Sequence, residues 1–350
     1  SLGIVTSAAW LGSAAPRLPT GLLLTRFERH HVVAVTGSTL VLTAGLTALA
    51  DSVAHLTVGA FLMGLSSGSY FIAANPLVSE LFPDSVGTAL GIHGMASQVA
   101  AVAAPLALSA ILLVGPWQTA FVLIAAVAAV GTLALVWAAR KTDLPDAGTD
   151  DRSVLAAGRE QWRLILTGIA FIGATGFLWN ALFNLYGDYL AVVKGIDPAT
   201  GRLLLSAMFG AGVPAFFVTG WLADRVPYIP LILAIIGSFA VSVLALTVVD
   251  GLAALAAMSL LIGYIIHSLF PALDTYMLDS LPDRHRASAY ALYSASMMLV
   301  QALGSGTVGT VVSRGAGYNR TFRVLAVALV GLVCLLAILD QRNLLPAGGR

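Results

Sequence analysis

Gly21-Leu22-Leu23-Leu24-Thr25-Arg26-Phe27-Glu28-Arg29-His30 is where a long apolar run ends and a short basic loop begins. Gly220-Trp221-Leu222-Ala223-Asp224-Arg225 repeats that pattern, and the offset from Gly21 to Gly220 is 199 residues. The same offset carries Asp51 onto Asp250, Glu80 onto Asp279, Pro83 onto Pro282 and Asp84 onto Asp283. One spacing held over that many landmarks marks an internal duplication with almost no net insertion between the copies.

The 350 residues are 58% hydrophobic and only 10% charged. Soluble domains carry about 25% charged residues, so this composition assigns the chain to a lipid bilayer. A net charge of +1 gives no electrostatic case for nucleic acid. The single cysteine, Cys334, excludes an intrachain disulfide and a cysteine metal cluster. The chain opens on Ser1 rather than Met, with no signal peptide pattern, and is expected to be a piece or a processed product.

A membrane span needs roughly 20 apolar residues. Breaks at charges, Pro and Gly predict eleven spans: 2–24, 32–50, 53–80, 86–113, 117–139, 162–189, 202–223, 229–249, 252–279, 287–312 and 321–339. None alternates as a strand would, so all are expected to be helices. Arg140 to Gln161 is the one long polar segment, with Asp143, Asp146, Asp150, Asp151, Arg152 and Arg159. The expected domains are therefore an N-terminal bundle 1–139, a linker 140–161, a C-terminal bundle 162–340 and a tail 341–350. Shifted by 199, the span at 162–189 has no counterpart after residue 1. The parent is expected to have 6+6 helices, with the first one missing here. Internal symmetry of this kind is usual in secondary transporters.

Alternating the loops from Arg26 gives one side twelve basic residues: Arg26, Arg29, Arg140, Lys141, Arg152, Arg159, Arg163, Arg225, Arg284, Arg286, Arg342 and Arg350. The other side receives five, Lys194, Arg202, Arg314, Arg320 and Arg323. Positive charge stays inside, so both repeated loops, the linker and the C-terminus are expected in the cytoplasm.

The recurring Gly-x-Leu-x-(Asp)-Arg loop between apolar helices resembles the signature loop of the major facilitator superfamily. The resemblance implies an all-α polytopic fold of two helix bundles. It also implies a multi-pass protein of the cell (plasma) membrane that moves a small solute by alternating access, with no cofactor and no catalytic residues. In that family the loop joins the second and third helices of each half on the cytoplasmic side. The resemblance assigns Gly21, Arg26, Glu80, Gly220, Asp224, Arg225, Asp279 and Arg286 to a cytoplasmic gate. The first copy departs from the pattern at Thr25, where Asp is usual. Ala104-Pro105 stand where drug/proton antiporters carry Gly-Pro, which argues against drug antiport.

Arg17 lies inside the first span, nine residues before Arg26, or about 13 Å along a helix. Ionisable residues at that depth are costly and functional by default. Snorkelling to the interface is the alternative, helped by the flanking Pro16 and Pro19. Arg17-Leu18-Pro19-Thr20-Gly21 resembles the Arg-x-Pro-x-Gly string of the nitrate/nitrite porters, in which the arginine binds the anion. A second arginine would then stand four residues before Gly220, and Phe216 is there instead. That departure points away from nitrate and toward a singly charged anion with an apolar part.

Asn75 and Asp274 are equivalents under the offset, on helices that line the cavity in the resembling family. A buried carboxylate has a raised pKa and can carry a proton, so Asp274 is the expected coupling residue. A packing hydrogen bond is its alternative. Asn180 and Asn184 are four apart and share one helix face. With Arg17, Asn75, Asp274, Tyr70 and His267 they complete the expected substrate-binding set. His93, Gln98, Tyr264, Tyr290, Tyr293 and Gln301 are further candidates for the cavity lining. The expected partners are a small-molecule substrate, the lipid bilayer and a coupling proton, with the protein a monomer. A non-transporting sensor or scaffold is the rival reading, and the absence of a sizeable soluble output segment disfavours it.

Three local matches carry no chemistry. Gly304-Ser305-Gly306-Thr307-Val308-Gly309 lies in an apolar helix with no strand before it. Gly64-Leu65-Ser66-Ser67-Gly68 has no strand-turn-helix elbow. His30-His31 lacks H-E-x-x-H spacing, so no metal site is expected.

Overall fold

Lipid offers no hydrogen bonds to a peptide backbone, so apolar runs of span length satisfy their own N–H and C=O groups as helices. The computed structural model describes residues 2–142, 144 and 153–346, and no strand occurs among them. The linker residues Asp143, Asp146, Asp150, Asp151 and Arg152, and the tail beyond 346, lie outside the described residues.

The helices are α1 Leu2–Ala14, α2 Arg17–Leu23, α3 Arg29–Thr47, α4 Val53–Leu81, α5 Val86–Val114, α6 Thr119–Ala139 and α7 Val154–Glu160. They continue as α8 Trp162–Lys194, α9 Pro198–Ala223, α10 Tyr228–Leu246, α11 Leu252–Ser280, α12 Arg286–Val311 and α13 Tyr318–Gln341. Among the described residues, nine are long and apolar enough to cross a membrane. The broken pair α1–α2 and the 19-residue α3 occupy the other two expected spans.

One expectation needs correction. The span 2–24 is not one helix: Pro16 has no N–H to donate, and its ring clashes with the carbonyl one turn earlier, so the chain turns at Ala15-Pro16. Ser153 accepts a hydrogen bond from Ala156 N at 3.3 Å and opens the short α7. In the α8–α9 connection Asp197 caps α9, accepting from Ala199 N and Thr200 N at 3.0 Å each. Hydrogen bonds from Thr200 hold its carboxyl below the ordinary range.

The chain divides into two compact units. The first contains Ser1–Pro83, Ala103–Trp162 and Leu281–Ala295, and the second contains Asp84–Val102, Arg163–Ser280 and Ser296–Arg350. The helix α5 is thus divided between the units after Val102, and α12 after Ala295.

Each unit has a helix pair in near backbone contact. In the first, a Cβ added to Gly64 would lie 2.4 Å from Ala9 O. In the second, a Cβ on Gly263 would lie 2.3 Å from Met208 O. Both residues of the first contact map onto the second by the 199 offset. Small residues let apolar helices approach closely where lipid supplies no hydrophobic drive. The duplication therefore extends beyond the loops into the packing.

Candidate functional site

Arg17 is the first residue of α2, and the break at Pro16 turns its side chain inward to 7% exposure. Its Nε donates to Ser13 O at 3.3 Å, and its Nη1 donates to Ser294 Oγ. Its Cζ lies 4.9 Å from the Phe71 ring centroid, a cation–π contact of about 0.5–2 kcal/mol. Phe71 stacks on Tyr290 at 5.9 Å, and Asn75 Nδ2 donates to the Tyr290 hydroxyl at 2.8 Å. So α2, α4 and the start of α12 bring Arg17, Phe71, Asn75, Tyr290 and Ser294 together in the first unit. The approach is tight: a Cβ on Gly21 would meet Ala291 Cβ at 2.6 Å.

The equivalent place in the second unit is aromatic. Phe216 stands where Arg17 stands in the first copy, and it stacks flat on Phe270 with an interplanar angle of 4°. His267 lies among Trp179, Phe209, Phe216 and Phe270, with ring centroids 5.7–6.4 Å away. His267 Nδ1 is 2.7 Å from Gly263 O. Asn184 Nδ2 donates to Asn180 O at 2.8 Å and to Asn180 Oδ1 at 3.1 Å. Asp274 is part-exposed on α11, between buried Leu273 and Thr275. Tyr70 is 39% exposed and lines a groove with Val33, Thr36 and Leu135.

At the signature-loop end of the first unit, Glu80 is buried and forms an ion pair with Arg29. Arg286 Nη1 is 3.5 Å from the same carboxylate oxygen. Arg26, the sequence candidate, is exposed. In the second unit Tyr228 donates to Asp279 at 2.8 Å. Arg29 maps onto Tyr228 and Glu80 onto Asp279, so the two contacts are one contact of the duplicated fold. Applying the offset to pairs, rather than to single landmarks, would have found it.

Asp224 accepts from Gly87 N and Thr88 N at 2.7 Å each, in the first turn of α5. A carboxylate at a helix N-terminus meets orphan N–H groups and the positive end of the dipole. Gly220 lets α9 come that near: a Cβ there would lie 2.4 Å from Gly87 O. Arg225 instead folds back, donating to Trp221 O at 2.8 Å and lying 4.1 Å from the Trp221 ring centroid.

The family model of the Major Facilitator Superfamily matches residues 1–305 and 174–346. The chain belongs to that superfamily. The superfamily chain is 29% identical over 167 residues to an uncharacterized MFS-type transporter, YwfA, of Bacillus subtilis strain 168. That match covers 47% of this chain and only 37% of the relative. Among solved structures, the MFS transporter FucP in an outward conformation superposes with TM-score 0.77 at 15% identity, covering 96% of this chain and 89% of that one. The E. coli fucose:proton symporter FucP, as a variant, gives 0.77 at 16% identity, with 96% and 90% coverage. The proton:xylose symporter XylE, bound to 6-bromo-6-deoxy-D-glucose, gives 0.75 at 13%, covering 98% and 86%. At those identities the structural matches establish the MFS architecture, and function has to be argued from the site.

Proposed function

We propose that this MFS chain is a secondary transporter working by alternating access, and that its substrate is a small organic anion held by Arg17. The observation that carries this reading is a permanently charged guanidinium, 7% exposed, lying on Phe71 within the first span. A guanidinium presents a planar fork of donors that matches a carboxylate. Phe71 and Tyr290 beside it offer aromatic surface to an apolar part, and the Asn75–Tyr290 pair offers polar atoms for orientation. Phe216 in place of a second arginine fits a substrate of single charge.

Asp274 is the proposed proton carrier. The names of the fucose:proton and proton:xylose symporters lend support to coupling of this kind. Glu80, Arg29, Arg286, Asp224 and Asp279 are proposed as gate residues on the cytoplasmic side, in the cell membrane.

A neutral polyol is the second reading. Gln98 Oε1 and Gln301 Nε2 are buried without a hydrogen-bond partner, and both carboxamides could meet hydroxyl groups. A thermal-shift screen of the full-length protein tests the two readings together, because a ligand of the folded state raises its apparent stability. Monocarboxylates with an apolar part are expected to stabilise the parent and to lose that effect in Arg17→Lys. Stabilisation by sugars alone, equal in both proteins, would replace the anion reading with the polyol one.

A further inference from the structure

The turn between α2 and α3 brings Glu28 together with His30 and His31, the pair whose spacing in the sequence gave no reason to expect a metal site. Glu28 is the N-cap of α3, yet its side chain makes no capping hydrogen bond. Its carboxylate faces the first-turn imidazoles instead. Glu28 Oε2 is 3.5 Å from His30 Nδ1 and 3.4 Å from His31 Nδ1. One ligand atom from each of the three residues lies within 4.8 Å of the others. The two rings sit 3.9 Å apart, tilted by 38°. Arg29, between Glu28 and His30 in sequence, turns away into the buried pair with Glu80.

We propose that Glu28, His30 and His31 bind a divalent transition-metal ion of the zinc class. Tetrahedral zinc with bonds of about 2.0–2.1 Å to nitrogen and oxygen separates its ligand atoms by roughly 3.3 Å. The two distances converging on Glu28 Oε2 have that length. Two imidazoles and one carboxylate suit zinc, nickel or copper, whereas magnesium and calcium prefer all-oxygen shells. Glu28 and His31 are exposed and His30 is half-buried, so the ion has an open approach. A fourth position stays available to water, as in other three-ligand zinc sites. A bound ion would fix the turn that also presents Arg29 to Glu80.

The test is calorimetric titration of ZnCl2 into the purified full-length protein carrying a tag without histidines. The parent is expected to bind one equivalent at this site with micromolar affinity, and MgCl2 none. His31→Ala removes a ligand whose side chain is 67% exposed, so the fold should survive. It is expected to weaken zinc binding at least tenfold, as is Glu28→Gln. His55→Ala, which alters only an exposed pair with Asp51, should bind as the parent does. A parent that binds no zinc overturns the proposal. So does His31→Ala or His30→Ala retaining the parent's stoichiometry and affinity.

Discussion

Arg29 pairs with Glu80 in the first unit at the position where Tyr228 donates to Asp279 in the second. The acid is kept in both copies while its partner has changed from a cation to a phenol. Glu80 also lies beside Arg286, at 3.5 Å. One buried carboxylate therefore serves two cations, of which Arg286 also pairs with Asp283 at 2.7 Å.

Glu80→Gln should accordingly be costly. Breaking a buried ion pair by neutralising one partner destabilises by about 3–5 kcal/mol. Arg26→Ala, at an exposed position, should stay within about 0.5 kcal/mol of the parent. Denaturation in detergent compares the two. Equal midpoints for both variants would remove Glu80 from the role assigned to it.

Asp224 tests a different tie, within the second unit. Asp224→Asn keeps the shape but loses the charge that faces the first turn of α5. A charge at a helix N-terminus contributes up to about 2 kcal/mol in partly buried geometries. The expected outcome is a lowered melting temperature, together with faster labelling of a cysteine placed in the first turn of α5. Unchanged labelling would show that the carboxylate does not hold that turn.

The backbone contact between Gly87 and Gly220 predicts a sharp asymmetry among glycines. Gly220→Ala sets a methyl 2.4 Å from Gly87 O and should prevent normal folding or transport. Gly45→Ala, in α3 with nothing within 4 Å, should be neutral or slightly stabilising, since Ala is favoured over Gly in a helix by about 1 kcal/mol. Expression level and uptake measure both. Wild-type uptake by Gly220→Ala would contradict the close approach.

Coupling is read from Asp274. Asp274→Asn is expected to abolish pH-driven accumulation while keeping exchange of substrate down its own gradient. Normal proton-driven uptake in that variant would take Asp274 out of the mechanism.

The class of fold was legible because lipid forces apolar runs into helices, and the 199-residue offset was legible because loops keep charges and prolines. The break at Pro16 was not, since a proline within an apolar run kinks some helices and ends others. The partner of Asp224 was not legible either. Its partners include the backbone N–H groups of Gly87 and Thr88 with the Thr88 hydroxyl, which donates at 2.5 Å, and a backbone donor leaves no trace in residue type. Arg26 and Arg29 looked alike as loop cations, but only Arg29 lies at the start of α3, where its side chain reaches Glu80. Glu28, His30 and His31 carry no spacing motif. They meet because a helix starts between them.

The most direct measurement of the account's central claim is uptake by Arg17→Gln in the full-length protein, reconstituted in vesicles with the carboxylate that stabilises the parent most. The side chain keeps polar atoms near Ser294 and Phe71 but loses the charge and the fork. The account predicts a loss of at least tenfold in uptake, with the variant still folded by its melting curve. Uptake equal to the parent's would mean that Arg17 only braces α2 against α12, and that the anion is bound elsewhere or is not the substrate.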